Sequence, residues 1–288
     1  MKNKLEGYIL EKYSDMGGAY TSRRLREEAY KRGIELQIIG VLDTAISNNG
    51  LLCCGKALSI CDFVINRYKS GCIMGRLNEL ALRSYNERTS LERYINKYEQ
   101  VKELKSDAFA LPEYLLSTAT ADFEYIASCL GTPFVAKGLE SSQGREVFLI
   151  ENSQQYEHLR DTFEGEKEFL FEQFIHTSYG KDIRVFSVRG DVVACMMRCA
   201  RSGFRANVAL GADVESIEIT DDIRHIAKDI YEQTQLDFVG IDLLFGKEKY
   251  YFCEINVTPG IEGMERATGV NVAGLILETI EGDFKLGK

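Results

Sequence analysis

Short apolar blocks alternate with amphipathic stretches over the first 85 residues, and each block has a readable period. Tyr8-Ile9-Leu10, Leu36-Gln37-Ile38-Ile39 and Asp62-Phe63-Val64-Ile65 are apolar runs of strand length. A Gly17-Gly18 loop follows the first run. Thr21 or Ser22 then stands where a cap is wanted for a helix running to Arg32, with Gly33 as its stop. Residues 76–83 read as a second helix. Strands alternating with helices predict a parallel sheet, hence a small α/β lobe over residues 1–88.

Farther along, residues 91–163 read as helix, strand, glycine-containing loop, strand and helix, the strands covering 133–137 and 147–150. From residue 168 long β runs take over, at 168–175, 183–188 and 192–199. The turn Arg189-Gly190-Asp191 predicts that the last two pair as a hairpin. Thr220 caps a helix over 221–233, and strands 238–245 and 250–257 follow, joined by Gly246-Lys247-Glu248-Lys249. The expected division is an N-terminal lobe (1–88), a central lobe (89–170) and a C-terminal lobe (171–288), packed without a flexible linker.

The last hairpin carries the first chemical signal. Side chains alternate along a strand, so Phe252, Glu254 and Asn256 share one face, opposite Tyr251, Cys253, Ile255 and Val257. An acid and an amide on a mostly apolar strand are costly to bury unless paired or metal-bound. The short turn sets Asp242 nearly opposite Glu254. Three oxygen ligands therefore converge, as they do where magnesium is held in nucleotide enzymes. The plainer alternative is a wetted sheet face with a cross-strand polar pair. A second signal is Lys137, at the end of a buried strand and before a small polar turn, Gly138 to Glu146. Such a turn offers backbone N–H groups to phosphates, with the lysine as a point charge. An ordinary hairpin with a surface lysine is the alternative.

Composition narrows the classes. Hydrophobic residues are 45% and charged residues 27% of the 288, ordinary for a soluble globular chain. The formal charge of −9 argues against nucleic-acid binding. No apolar run approaches the roughly 20 residues of a membrane span, and no apolar stretch follows the basic N-terminus as in a signal peptide. The expectation is a soluble cytoplasmic protein. Eight cysteines with no CxxC pair are expected to be reduced packing thiols. His158, His176 and His225 sit in polar, surface-like contexts. GxGxxG, GxSxG, HExxH, HRD and DFG are absent, and the GxxxxGK spelling at 282–288 lacks the Ser/Thr of a P-loop. Arg198, Arg201 and Arg205 form a basic cluster suited to an anionic substrate, or simply a charged turn.

Residues from about Lys97 to Ile280 resemble the ATP-grasp fold, specifically RimK-type carboxylate–amine ligases. The resemblance rests on Phe134-Val135-Ala136-Lys137 with Leu139 to Gly144, and on Glu172-Gln173-Phe174-Ile175 followed by Gly180-Lys181-Asp182-Ile183-Arg184. It continues through Gly203-Phe204-Arg205-Ala206-Asn207 and Val239-Gly240-Ile241-Asp242, and closes on Glu254-Ile255-Asn256-Val257-Thr258-Pro259-Gly260 and Ala267-Thr268-Gly269. It implies an α/β fold of the ATP-grasp type, with an N-terminal lobe and two β-rich lobes clasping ATP. It assigns Lys97 and Lys137 to the ATP phosphates, the backbone of Gln173, Phe174 and Ile175 to adenine, and Asp182 to the ribose side. Asp242, Glu254 and Asn256 match the magnesium ligands, with manganese as a substitute metal. Arg205 and Asn207 match positions near phosphates and substrate, and Arg198 is placed to stabilise a transferred phosphoryl group. Three departures stand out: Gly138 replaces the usual proline, Arg145-Glu146 replaces the usual second glycine, and Asn96-Lys97-Tyr98 stands where the usual run is Asn-Asp-Lys.

The reaction so implied is phosphorylation of a carboxylate by ATP, then attack of an amine such as that of glutamate on the acylphosphate. Expected partners are ATP, a carboxylate substrate and an amine substrate, with no nucleic acid or membrane, and a homo-oligomer left open. A nucleotide-sensing or peptide-binding module without turnover is the rival class, and ester formation on a peptide the enzymatic rival.

Overall fold

The computed structural model describes residues 4–15, 19–48, 50–69, 71–141, 144–163, 165–208 and 211–286. Gly17-Gly18, Ser142-Gln143 of the turn after Lys137, and Gly287-Lys288 lie outside these residues. In the N-terminal lobe four parallel strands run in the spatial order Glu35–Gly40, Glu6–Glu11, Cys61–Asn66, Ala81–Tyr85. Helix Tyr20–Lys31 packs its buried Leu25 and Ala29 toward this sheet. Its expected caps are corrected: Ala19 is the N-cap, Ser22 donates to Glu11, and Thr21 Oγ1 accepts from Ile261 N at 3.2 Å. Ser22 thus ties the helix to its sheet, and Thr21 ties it to the C-terminal lobe. The expected helix over 76–83 is also corrected, to helix Cys72–Asn78 and strand Ala81–Tyr85. Tyr85 at the end of that strand is fully buried, and burial beside Phe63 outweighs local helix preference. A three-stranded antiparallel sheet, Thr44–Ser47, Gly50–Cys53 and Lys56–Ala57, has no counterpart in the sequence reading.

The central sheet is antiparallel, in the order Val147–Ile150, Phe134–Gly138, Glu168–Gln173, Tyr114–Thr118. Helices Phe123–Leu130 and Ser153–Thr162 cover it. An aromatic core of Phe134, Tyr156, Phe169 and Phe171 holds it together, separate from the larger cores below it. Strand Glu168–Gln173 crosses residue 170 and stays in this sheet to its end.

The third sheet has six strands, in the order Asp213–Ser216, Asp191–Cys199, Lys181–Val188, Phe238–Leu244, Tyr250–Asn256, Phe109–Ala110. The expected hairpin forms: Val188 pairs with Asp191 across Arg189 (φ 49°) and Gly190 (φ 86°), the left-handed pair of a tight turn. Helix Asp221–Thr234 buries Ile223, Ile226 and Ile230, and Thr220 Oγ1 accepts from Ile223 N at 3.3 Å as its cap. Thr220→Ala should cost about 1 kcal/mol of stability. Thermal melts read that loss, and catalytic turnover should not change.

The alternation expected along Tyr250–Asn256 is broken. Register shifts between Asp242 and Leu243, so Leu243 faces Phe252 while Asp242 faces Glu254, leaving Cys253 as the extra residue of a bulge. Phe252 and Ile255 then both point into the core although they are three apart, and Cys253 joins Glu254 on the cleft side. The cysteines follow suit. Cys53, Cys61 and Cys195 are buried packing thiols, but Cys54, Cys72 and Cys129 are exposed, and all eight are free. None of the described helices is long and apolar enough to cross a membrane.

Candidate active site

A row of charges crosses the third sheet because its register aligns them. Asp182 pairs with Arg198 and Arg184 with Asp242, which pairs in turn with Glu254. Arg198 donates to Asp182 through Nε at 2.6 Å and Nη2 at 2.8 Å, and Nη2 also reaches Asp242 Oδ2 at 2.8 Å. Arg184 clasps Asp242 from the other side through Nε and, at 2.6 Å, Nη2. Asp242 is only 2% exposed. Burial works to raise its pKa, but Arg184 and Arg198 outweigh burial and hold it below the usual carboxylate range. Burial dominates at Asp182 and raises its pKa despite Arg198.

The central sheet supplies the roof. Lys137, on strand Phe134–Gly138, meets Glu172 of the neighbouring strand at 2.6 Å and donates to Cys253 O at 3.1 Å. Burial alone would discharge the lysine, but the carboxylates of Glu172 and Glu254 keep it protonated. The same burial raises the pKa of Glu172. Glu172 Oε1 has no hydrogen-bond partner among the described residues, a costly state for a buried oxygen and one that suits an incoming donor. Cys253 is pushed up to about 12 by burial, so its thiol is inert at neutral pH.

Lys97 begins helix Lys97–Glu103, whose N-cap Asn96 accepts from Tyr98 N and Glu99 N. Its Nζ donates to Ser141 O at 2.5 Å and lies 3.4 Å from Glu254. Gly138 N donates to Glu146 O at 2.9 Å, a ladder bond that a proline could not make. Arg205 holds Gly144 O at 2.7 Å. Gly144 has φ 69°, and a Cβ there would stand 2.7 Å from Asn207 Oδ1.

The structure brings Lys97, Lys137, Gln173, Phe174, Ile175, Asp182, Arg198, Arg205, Asn207, Asp242 and Glu254 to the walls of one pocket. Asn256 is set apart. It lines an adjoining cleft of about 840 Å³ that shares Lys97, Ser141 and Glu254 with the pocket, and its Oδ1 accepts from Thr258 N at 3.2 Å. The basic cluster of Arg198, Arg201 and Arg205 is corrected: Arg201 points to solvent and pairs with Asp213 at 2.7 Å. Sequence reading missed Arg184 and Glu172 as site groups. Arg184 was legible two residues from Asp182 on the same strand face, and Glu172 as a lone acid in Phe169-Leu170-Phe171-Glu172.

Two β-rich lobes over a cleft of lysines and acids make the ATP-grasp fold. The D-alanine–D-alanine ligase from Bacillus anthracis complexed with ATP has this fold, with a TM-score of 0.72 at 17% identity, covering 99% of this chain and 98% of that one. So does the ATP-grasp ligase PsnB complexed with minimal precursor, Mg and ADP, with a TM-score of 0.72 at 16% identity, covering 98% of each chain. A family model described as a RimK-like ATP-grasp domain matches residues 95–280, and the chain belongs to that family. It is accordingly an ATP-dependent carboxylate–amine ligase. A relative from Methanococcoides burtonii, named a probable alpha-L-glutamate ligase, is 32% identical over 282 residues, covering 93% of this chain and 94% of that protein. One of the same name from Shewanella loihica is 32% identical over 279 residues, covering 92% and 93%.

Proposed function

We propose that the protein adds an amino acid, glutamate as in the names of its relatives, to a carboxylate of a peptide or small molecule through an acylphosphate. The observation that carries this is the register pair Asp242–Glu254, set at the junction of a lysine-rich pocket and an open cleft. By chemistry the oxygen donors suit a hard divalent cation, although Asp242 here gives both oxygens to Arg184 and Arg198 and Asn256 Oδ1 accepts from Thr258 N. Among the described residues Glu254 has a single long ion pair, to Lys97 at 3.4 Å, and so keeps carboxylate oxygen available. Asp242, Glu254 and Asn256 would hold magnesium, with manganese able to replace it. When bound, that ion offsets charge on the terminal phosphates.

The protein's own groups do the rest. The backbone of Gln173 to Ile175 takes the adenine edge, and the free oxygen of Glu172 accepts from a base or sugar donor. Asp182 faces the ribose side. Lys137 and Lys97 bind phosphate oxygens as point charges, and Arg198 follows the charge that develops on the transferred group. Arg205 and Asn207 brace the turn at Gly144 over the phosphates. The central lobe, with its own core, covers the nucleotide and keeps water from the acylphosphate.

Hydroxylamine supplied in place of the amine should intercept the activated carboxylate as a hydroxamate, with ADP as co-product. Mass spectrometry and nucleotide chromatography read both. AMP and pyrophosphate would instead mean attack at the α-phosphate and overturn the assignment of the three oxygen ligands. ATP left untouched in the presence of cell-extract acceptors would favour a binding module.

A further inference from the structure

The cleft beyond Glu254 and Asn256 has one wall from the N-terminal lobe, and that wall is cationic. Lys12 follows strand Glu6–Glu11, and Arg67 follows strand Cys61–Asn66. These strands are parallel neighbours, Leu10 beside Asn66, so both residues leave the carboxyl edge of the sheet together. That edge is where open parallel sheets place their ligands. Arg67 is built in. Its Nε donates to Glu11 Oε1 at 2.9 Å and its Nη1 to Pro259 O at 3.0 Å, leaving the side chain 15% exposed. Glu11 is itself buried and also receives Ser22 Oγ.

The other charges of the cleft are mostly spent on each other. Lys69 pairs with Glu140 at 3.4 Å, Lys167 with Glu146 at 2.5 Å, and Lys97 with Glu254. Nη2 of Arg67 has no hydrogen bond to a described residue, and Lys12 has no acid partner among them. A fixed guanidinium with an open N–H edge, in one cleft with an ammonium that lies over the Tyr13 ring and meets no acid among the described residues, suits a carboxylate.

We propose that Arg67, with Lys12, anchors a substrate carboxylate that does not react. It belongs either to the acceptor, as a second acid beside the one being activated, or to the amino acid that attacks. This rests on the reading of the cleft as the ligase's substrate site. The N-terminal lobe is then the part that selects for anionic substrates, and Arg67 a specificity residue rather than a catalytic one.

Calorimetry on the intact protein with magnesium and a non-hydrolysable ATP analogue tests this. One arm compares acetyl-Glu-Glu with acetyl-Gln-Gln, and the other glutamate with its α-amide. In one arm the wild type should prefer the extra carboxylate by about tenfold or more, the worth of a charged hydrogen bond. Arg67→Gln should erase that preference, Lys12→Gln should reduce it, and neither should change nucleotide affinity. The arm that responds identifies the source of the carboxylate. No preference in either arm, or a preference that survives Arg67→Gln, overturns the proposal. Loss of nucleotide binding in Arg67→Gln marks a folding defect, and Lys12→Gln, on an exposed side chain, then decides alone. Failure of the wild type to bind the nucleotide would strike the ligase reading of the site instead.

Discussion

Asp242→Ala is expected to lower the melting temperature by roughly 10 °C as well as to abolish ADP release. Asp242 is not a peripheral ligand, as its place on a polar strand face suggests, but the centre of a buried row of charges. Removing it leaves Arg184 without its carboxylate and Arg198 with Asp182 alone. Breaking a buried ion pair from one side costs about 3–5 kcal/mol, and a chain of this size loses a few degrees for each kcal/mol. Glu254→Ala is the matched control. Its side chain is 24% exposed with one long ion pair among the described residues, so the variant should melt near the wild type yet release no ADP. Wild-type stability of Asp242→Ala, measured by calorimetry, would mean that the charged row is not structural. Full turnover in Glu254→Ala would remove it from the metal site.

Lys137→Met should weaken binding of an ATP analogue by about a hundredfold or more while leaving adenosine binding close to wild type. In the proposed function the lysine supplies a buried charge to phosphate, and charge-assisted bonds are worth about 1.5–3 kcal/mol each. Loss of both ligands together would point instead to collapse of the central lobe. The same variant should show a stronger pH dependence of stability than the wild type. Burial already raises the pKa of Glu172, and Lys137 is the main influence opposing it. Without the lysine, the folded carboxyl stays protonated to still higher pH. A group whose folded pKa lies above its unfolded value stabilises the protein below the unfolded value and loses that contribution as pH rises through the folded one. Lys137→Met should therefore lose stability from the ordinary carboxylate pKa upward, and melt lower at pH 8 than at pH 5. A flat profile between those values would show that Glu172 finds another partner.

Much of the fold was legible because local rules and tertiary packing agree. The Arg189-Gly190 turn needs two left-handed residues in a row, and Thr220 stands one residue ahead of an amphipathic helix. The pairing of Asp242 with Glu254 also followed from the chain, since a short turn sets register. Where long-range burial decided, reading failed. Residues 81–85 form a strand because Tyr85 has a place in the core, and Cys253 bulges although nothing local marks it.

Residue types and order along the chain determined the ATP-grasp architecture and the placing of Lys97, Lys137, Asp242 and Glu254 on one pocket. Whether Asp242 is exposed or buried, and which cations it meets, was decided only by the stacking of strands 181–188, 191–199 and 238–244. The partners of Lys137, and the meeting of Arg67 with Pro259, likewise required lobes distant in sequence to close on each other. Charge pairs of this kind depend on distances of a few ångströms between strands and lobes. One residue of register or one bulge changes them, while the pattern of apolar and polar positions stays the same.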